Sequence, residues 1–233
     1  MSLTPRHLDS LASESRALLA ALAERDWAAD FYLAGSAALA LYTGHRPVRG
    51  LDLMAGTNRL ASPDRRDLLA DLLEMDDGFR VETARDGYLY VRSGGSDGSD
   101  GSDEKSGVGV KLFYYPYPLI APFEEVGGFA VASPEDLGLM KIAAIISRGT
   151  KRDFADLHLL CRHLPLADLL ARSQDKFGHV RDFELQALKG LADLDQTAGQ
   201  PMPKLAVELG WGEVVAWVEA EVRELGRWAV GLG

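Results

Sequence analysis

The stretch from Phe31 to Ala55, FYLAGSAALALYTGHRPVRGLDLMA, constrains this chain more than any other. Phe31-Tyr32-Leu33-Ala34 is apolar and partly aromatic, which predicts a short buried strand. Gly35-Ser36 then opens an Ala/Leu-rich helix over Ala37 to Tyr42 that stops at Thr43-Gly44. A strand that runs into Gly-Ser at a helix start offers backbone N–H groups, a small hydroxyl and the positive end of the helix dipole, a seat for phosphate. Next comes Leu51-Asp52-Leu53-Met54, an apolar strand with one carboxylate between two leucines. Burying an acid there is costly unless it binds a metal or a donor. Asp52 is therefore the first candidate functional residue, set against the plainer alternative of a solvated strand end.

The whole chain sets wider bounds. Its 233 residues, 47% hydrophobic, suffice for one large domain or two small ones with a full core. The formal charge of −10 argues against a nonspecific coat for nucleic acid but leaves room for a local basic cleft. The lone Cys161 excludes an internal disulfide and suits a reducing compartment. No signal peptide and no membrane-spanning run is legible, so the expectation is a cytoplasmic protein without a membrane partner.

Periodicity and caps place the other elements. Pro5 to Arg25 has roughly helical apolar spacing, and Ser62-Pro63-Asp64 starts a helix that ends near Gly78. Phe79 to Thr83 and Tyr88 to Val91 predict a hairpin across Asp86-Gly87. Ser93 to Gly107, SGGSDGSDGSDEKSG, carries no large apolar residue and is expected to be a flexible loop. Its Asp-Gly repeats lack the spacing of a calcium-binding EF-hand. Val108 to Tyr117 returns as a strand rich in aromatics, and Gly127 to Ala132 is a last short strand. The aromatics could stack a base, though strand packing explains them as well. Beyond it the chain reads as helical, in segments Leu137 to Ser147, Thr150 onward, Pro165 to Phe177, Arg181 to Leu194 and Trp211 to Trp228. His158 and His163 have the wrong spacing for a paired metal face and are expected at the surface. The predicted organisation is α/β (α+β): a core over residues 1–132 with a mixed sheet of about five strands flanked by helices, then an all-helical region over 133–233.

Two cations stand out in that second region. Lys141 and Arg148 are seven residues apart, so they share one helix face within about 20°. Together they can grip a triphosphate. Asp153 can hold either cation in place or accept a hydrogen bond from a nucleotide. Surface ion pairing is the bland alternative for all three.

Three stretches carry a resemblance to a known family. LAGSAALALYTGHR with LDL, DLGLMKIAAIISRGTKRDFADLHLL, and FELQALKGLADLD with PMPKLAVELGWGEVVAWV together resemble the AbiEii/AbiGii toxin family of nucleotidyltransferases over nearly the whole chain. The resemblance implies a nucleotidyltransferase-like fold and transfer of a nucleotide from a nucleoside triphosphate to an acceptor such as tRNA. It also implies magnesium as cofactor and a toxin role opposite an antitoxin. It assigns Asp52 as catalytic metal ligand, Gly35 and Ser36 as phosphate seat, Lys141 as both catalytic residue and nucleotide contact, Arg148 as a nucleotide contact, and Asp153 as a catalytic residue. The sequence departs from the pattern at Gly50, where the first acid of an Asp-x-Asp pair is expected, and no acid occurs between Val108 and Tyr117. Glu82 or Asp86 could supply a replacement carboxylate. Without one, the chain is a nucleotidyltransferase fold that binds a nucleotide or a partner but has lost catalysis.

Overall fold

A computed structural model describes residues 3–75, 78–93 and 107–229, so residues 94–106 of the expected loop lie outside the described residues. The N-terminal helix is shorter than its apolar spacing predicts, α1 at Ser13–Ala23. Strand β1 (Tyr32–Ala34) passes directly into helix α2 (Gly35–Thr43). Gly35 makes that passage with φ +62, a left-handed conformation that strains any residue with a Cβ. Gly44, also left-handed, ends the helix by donating its N–H to the Ala40 carbonyl. Ala37 to Tyr42 are all buried, because the alanines let α2 lie close to the sheet on one side and to later helices on the other.

Strand β2 (Leu51–Ala55) runs antiparallel to β1, and helix α3 (Ser62–Met75) carries the chain across the sheet. The hairpin β3 (Arg80–Arg85) and β4 (Tyr88–Arg92) turns through Asp86-Gly87 as the dipeptide predicts, with Gly87 at φ +68. Strand β5 (Gly109–Tyr114) then comes back beside β2 in parallel. A short hairpin of β6 (Glu124–Val126) and β7 (Phe129–Val131) closes the other edge, with β7 parallel to β1. The sheet has seven strands in the order β3-β4-β5-β2-β1-β7-β6. Strand β6 had no signal in the sequence. Glu-Glu-Val is short and charged, features that suit an edge strand and give no hydrophobic alternation to detect.

The remaining helices follow the cap residues. Ser133 Oγ accepts from the Asp136 N–H at the start of α4 (Pro134–Arg148), and Thr150 Oγ1 accepts from the Asp153 N–H at the start of α5 (Lys151–Cys161). The single helical segment expected over Pro165 to Phe177 is two short helices, α6 (Leu166–Ala171) and α7 (Ser173–Phe177). Helices α8 (Phe183–Ala192) and α9 (Trp211–Ala229) complete the described chain. No helix among the described residues is long and apolar enough to cross a membrane.

Two buried apolar clusters meet along α4. The first, built on the sheet, includes Leu137; the second, built on the helices, starts at Leu139 and reaches α9. A buried ion pair also ties them, Lys176 to Asp136 at 2.7 Å, with the same ammonium donating to the Pro118 carbonyl at 2.8 Å. His158 is buried rather than at the surface: its ring lies edge-on to Trp217, 4.9 Å between centroids, because α9 covers that face of α5.

Candidate active site

Strand alternation sends Asp52 and Met54 of β2, and Lys111 and Phe113 of β5, to the same face of the sheet. In the parallel register Asp52 stands opposite Lys111, and Met54 opposite Phe113. The Asp52 carboxylate lies over the start of α2. A Cβ on Gly35 would collide with Asp52 Oδ2, so the glycine is required by contact as well as by conformation. This helix start has no side-chain cap, since its N-cap residue is Ala34, whereas α4 and α5 are both capped. Its first-turn N–H groups face the need that a ligand can meet.

Above this face is a cleft of about 1330 Å³, with Gly35, Ser36, Asp52, Lys141 and Arg148 all in its lining. The sequence-derived candidates are thus neighbours, with Asp153 buried just behind the wall. The lining contains seven cationic side chains, Arg46, Arg49, Lys111, Lys141, Arg148, Arg152 and Lys204, and a single carboxylate, Asp52. A protein of net charge −10 has therefore gathered over a quarter of its 25 lysines and arginines around one opening.

Behind the wall two buried aspartates hold three of these cations. Lys141 Nζ lies 3.0 Å from Asp153 Oδ1 and 2.8 Å from Asp156 Oδ2. Arg148 forks onto Asp153 at 3.0 and 3.1 Å, and Thr150 Oγ1 donates to the same carboxylate at 2.7 Å. Arg46 forks onto Asp156 at 2.9 and 3.2 Å, and His45 Nε2 lies 2.8 Å from Asp156 Oδ1. Ser36 Oγ donates to Asp156 at 3.3 Å, which links the α2 start to the network. Burial would raise the Asp153 carboxyl, but the Arg148 hydrogen bond, the Lys141 charge and Thr150 outweigh it and bring it down to about 2. Fully buried Asp156 is likewise held well below the usual carboxylate range, because Lys141, His45 and Arg46 overcome its desolvation.

Asp52 behaves in the opposite way. Desolvation pushes its carboxyl above the usual value, and Lys111, Lys141, Arg148 and Arg46 offset that only in part. The donor set does not fit a magnesium centre built by the chain. Magnesium takes oxygen ligands, and Asp52 is the cleft's one carboxylate, with a lysine directly opposite. Among the described residues no three His, Cys, Asp or Glu side chains gather where a metal could be held. Neither suggested replacement lines the cleft: Glu82 is near Arg92 at 3.4 Å and Asp86 accepts from Asn58 at 3.2 Å, both on the far hairpin.

Asp156, His45, Arg46 and Lys111 were given no role from the residues alone. A signal for Lys111 was present, since Val-Lys-Leu in β5 repeats the pattern of Leu-Asp-Leu in β2: a lone charge between apolar neighbours. The network around Asp156 joins residues over 100 positions apart, and no local pattern contains it.

Comparison with known proteins bears on the fold and the family. An uncharacterized protein of Aquifex aeolicus (strain VF5) is 27% identical over 203 residues, covering 84% of this chain and 87% of that protein. A crystal structure of a proposed nucleotidyltransferase from H. pylori superposes with a TM-score of 0.53 at 16% identity, covering 95% of this chain and 99% of the other. JHP933 from Helicobacter pylori gives a TM-score of 0.50 at 16% identity, with 95% and 97% coverage. At that identity these structures support the fold alone. The profile of the nucleotidyl transferase AbiEii toxins of type IV toxin–antitoxin systems matches residues 16–205, and the chain belongs to this family.

Proposed function

We propose that the cleft binds a nucleoside triphosphate and transfers its nucleotide to a hydroxyl of a nucleic-acid acceptor, with tRNA the first acceptor to test. The observation that carries this reading is one carboxylate of raised pKa at an uncapped helix start, inside a cleft lined by seven cations. Such a lining suits polyanions, and the volume exceeds the roughly 300–1,000 Å³ of a small-ligand pocket, which leaves room for an acceptor end beside the nucleotide. The charged row of Asp52 and Lys111 gives way along the same sheet face to Met54, Phe113 and Tyr115, an apolar platform for the base.

In the proposed transfer the acceptor hydroxyl gives its proton to Asp52 and its oxygen bonds the α-phosphorus. The bond from that phosphorus to the bridging oxygen breaks and pyrophosphate leaves with its electron pair. A raised pKa makes Asp52 a better proton acceptor than an ordinary carboxylate. Lys141 and Arg148, fixed by Asp153, would stabilise charge on the phosphates, and Ser36 with the α2 start would hold the chain of phosphates in place. The family makes an antitoxin protein the expected partner of this activity.

The test is transfer of label from each of the four nucleoside triphosphates to total tRNA in magnesium-containing buffer, with Asp52→Asn as the control that should abolish it. The single carboxylate favours a second reading, a fold that binds nucleotide without transferring it. Thermal protection by nucleotide with no transfer to any acceptor selects that reading. Absence of both transfer and protection sinks the two together.

A further inference from the structure

The cleft's cations fall into two groups. Lys141, Arg148 and Arg46 are neutralised by Asp153 and Asp156. Lys111, Arg49, Arg152 and Lys204 form no ion pair among the described residues. Of these four, Lys111 alone stands on the sheet, in register with Asp52, with its ammonium 5.5 Å from the Tyr90 ring centre. A divalent cation brought to Asp52 would meet Lys111 as a like charge at the adjacent position. An anion would meet an ammonium without an ion pair in the same cleft as an uncapped helix start. Four cations without ion pairs also suit a triphosphate, whose several negative charges they can offset.

We propose that Lys111 is the central phosphate contact of the cleft, a fixed cation in place of metal-holding carboxylates, so that the site takes a triphosphate without a divalent metal. The inference rests on the nucleotide reading above and goes further, since it names the group that neutralises the phosphates and removes the metal requirement from binding. The Tyr90 ring, facing the ammonium, and the β2–β5 pairing, which fixes the backbone beneath it, restrain Lys111, so binding has less side-chain freedom to remove.

Calorimetry with inorganic tripolyphosphate, and separately with ATP, tests it in buffer with excess EDTA and in buffer with magnesium. The intact protein should bind tripolyphosphate in EDTA at least as tightly as in magnesium. Lys111→Gln should weaken that binding by about tenfold or more, as loss of a charge-assisted contact does. Lys111→Arg should retain most of it. Lys111→Asp, which sets a second carboxylate beside Asp52, should bind only when magnesium is present. Binding by the intact protein that needs magnesium, or Lys111→Gln that binds as the intact protein does, overturns the proposal while leaving the nucleotide reading in place. Binding of neither probe in either buffer overturns both. Melting curves without ligand guard against misfolding: should Lys111→Gln melt low, Lys111→Arg decides, and failure of its binding with a normal melting temperature also overturns the proposal.

Discussion

The two walls of the cleft use carboxylates in opposite ways. On the helical wall, Asp153 and Asp156 are buried, paired with cations and held acidic. On the sheet wall, Asp52 is only partly covered, has no ion pair among the described residues and is pushed toward its neutral form. Both walls desolvate their acids, and the outcome depends on whether donors reach the carboxylate. The helical wall spends its acids on holding Lys141, Arg148 and Arg46 still, which fixes cations without leaving them bare. The sheet wall leaves an acid and a lysine side by side, stable enough to persist and unsatisfied enough to react or bind.

That contrast breaks most visibly at Asp156. Asp156→Ala strands Arg46 and His45 in the interior and leaves Lys141 with Asp153 alone, and should cost about 3–5 kcal/mol in denaturant unfolding. A cost below about 1 kcal/mol would mean that the buried network is not what holds the wall.

The next effect is a pH dependence. The folded Asp153 carboxyl, about 2, lies below the unfolded value, so its contribution is present above the unfolded pKa and lost as pH falls through the folded one. Between roughly pH 4 and pH 2 the protein should lose about 2 kcal/mol on this account. Asp153→Asn should flatten that part of the stability profile, and an unchanged profile would refute the assignment.

Gly35→Ala joins the two walls in one test, because a methyl group there meets Asp52 and demands a strained backbone. It should lower stability by about 1–3 kcal/mol, more than Asp52→Asn does, and reduce transfer activity as well. An alanine accepted without loss of melting temperature would contradict the close approach of Asp52 to the helix start.

Asp52→Asn is the smallest expected change in stability and sharpens the comparison most. A raised carboxyl pKa means the fold disfavours the ion, so a neutral amide should leave stability within about 1 kcal/mol of the parent or raise it. Transfer activity should nevertheless vanish. A large loss of stability would place Asp52 with the structural aspartates of the helical wall.

Much of this arrangement was legible along the chain. The Gly35-Ser36 junction, the lone acid in Leu51-Asp52-Leu53, the turn at Asp86-Gly87 and the caps at Ser133 and Thr150 are local, because strand, turn and cap preferences depend on a few neighbouring residues. The Lys141 and Arg148 pair was legible for the same reason, since helical periodicity puts residues seven apart on one face. Sequence by itself therefore determined which elements form and which residues are chemically unusual within them. Tertiary structure decided which charges meet. Asp156 gathers Ser36, His45, Arg46 and Lys141 from three separate segments, and the order of strands alone sets Lys111 opposite Asp52. Burial decides the rest, because the same carboxylate becomes a clamp or a reactive acid according to the donors that the folded chain brings within reach.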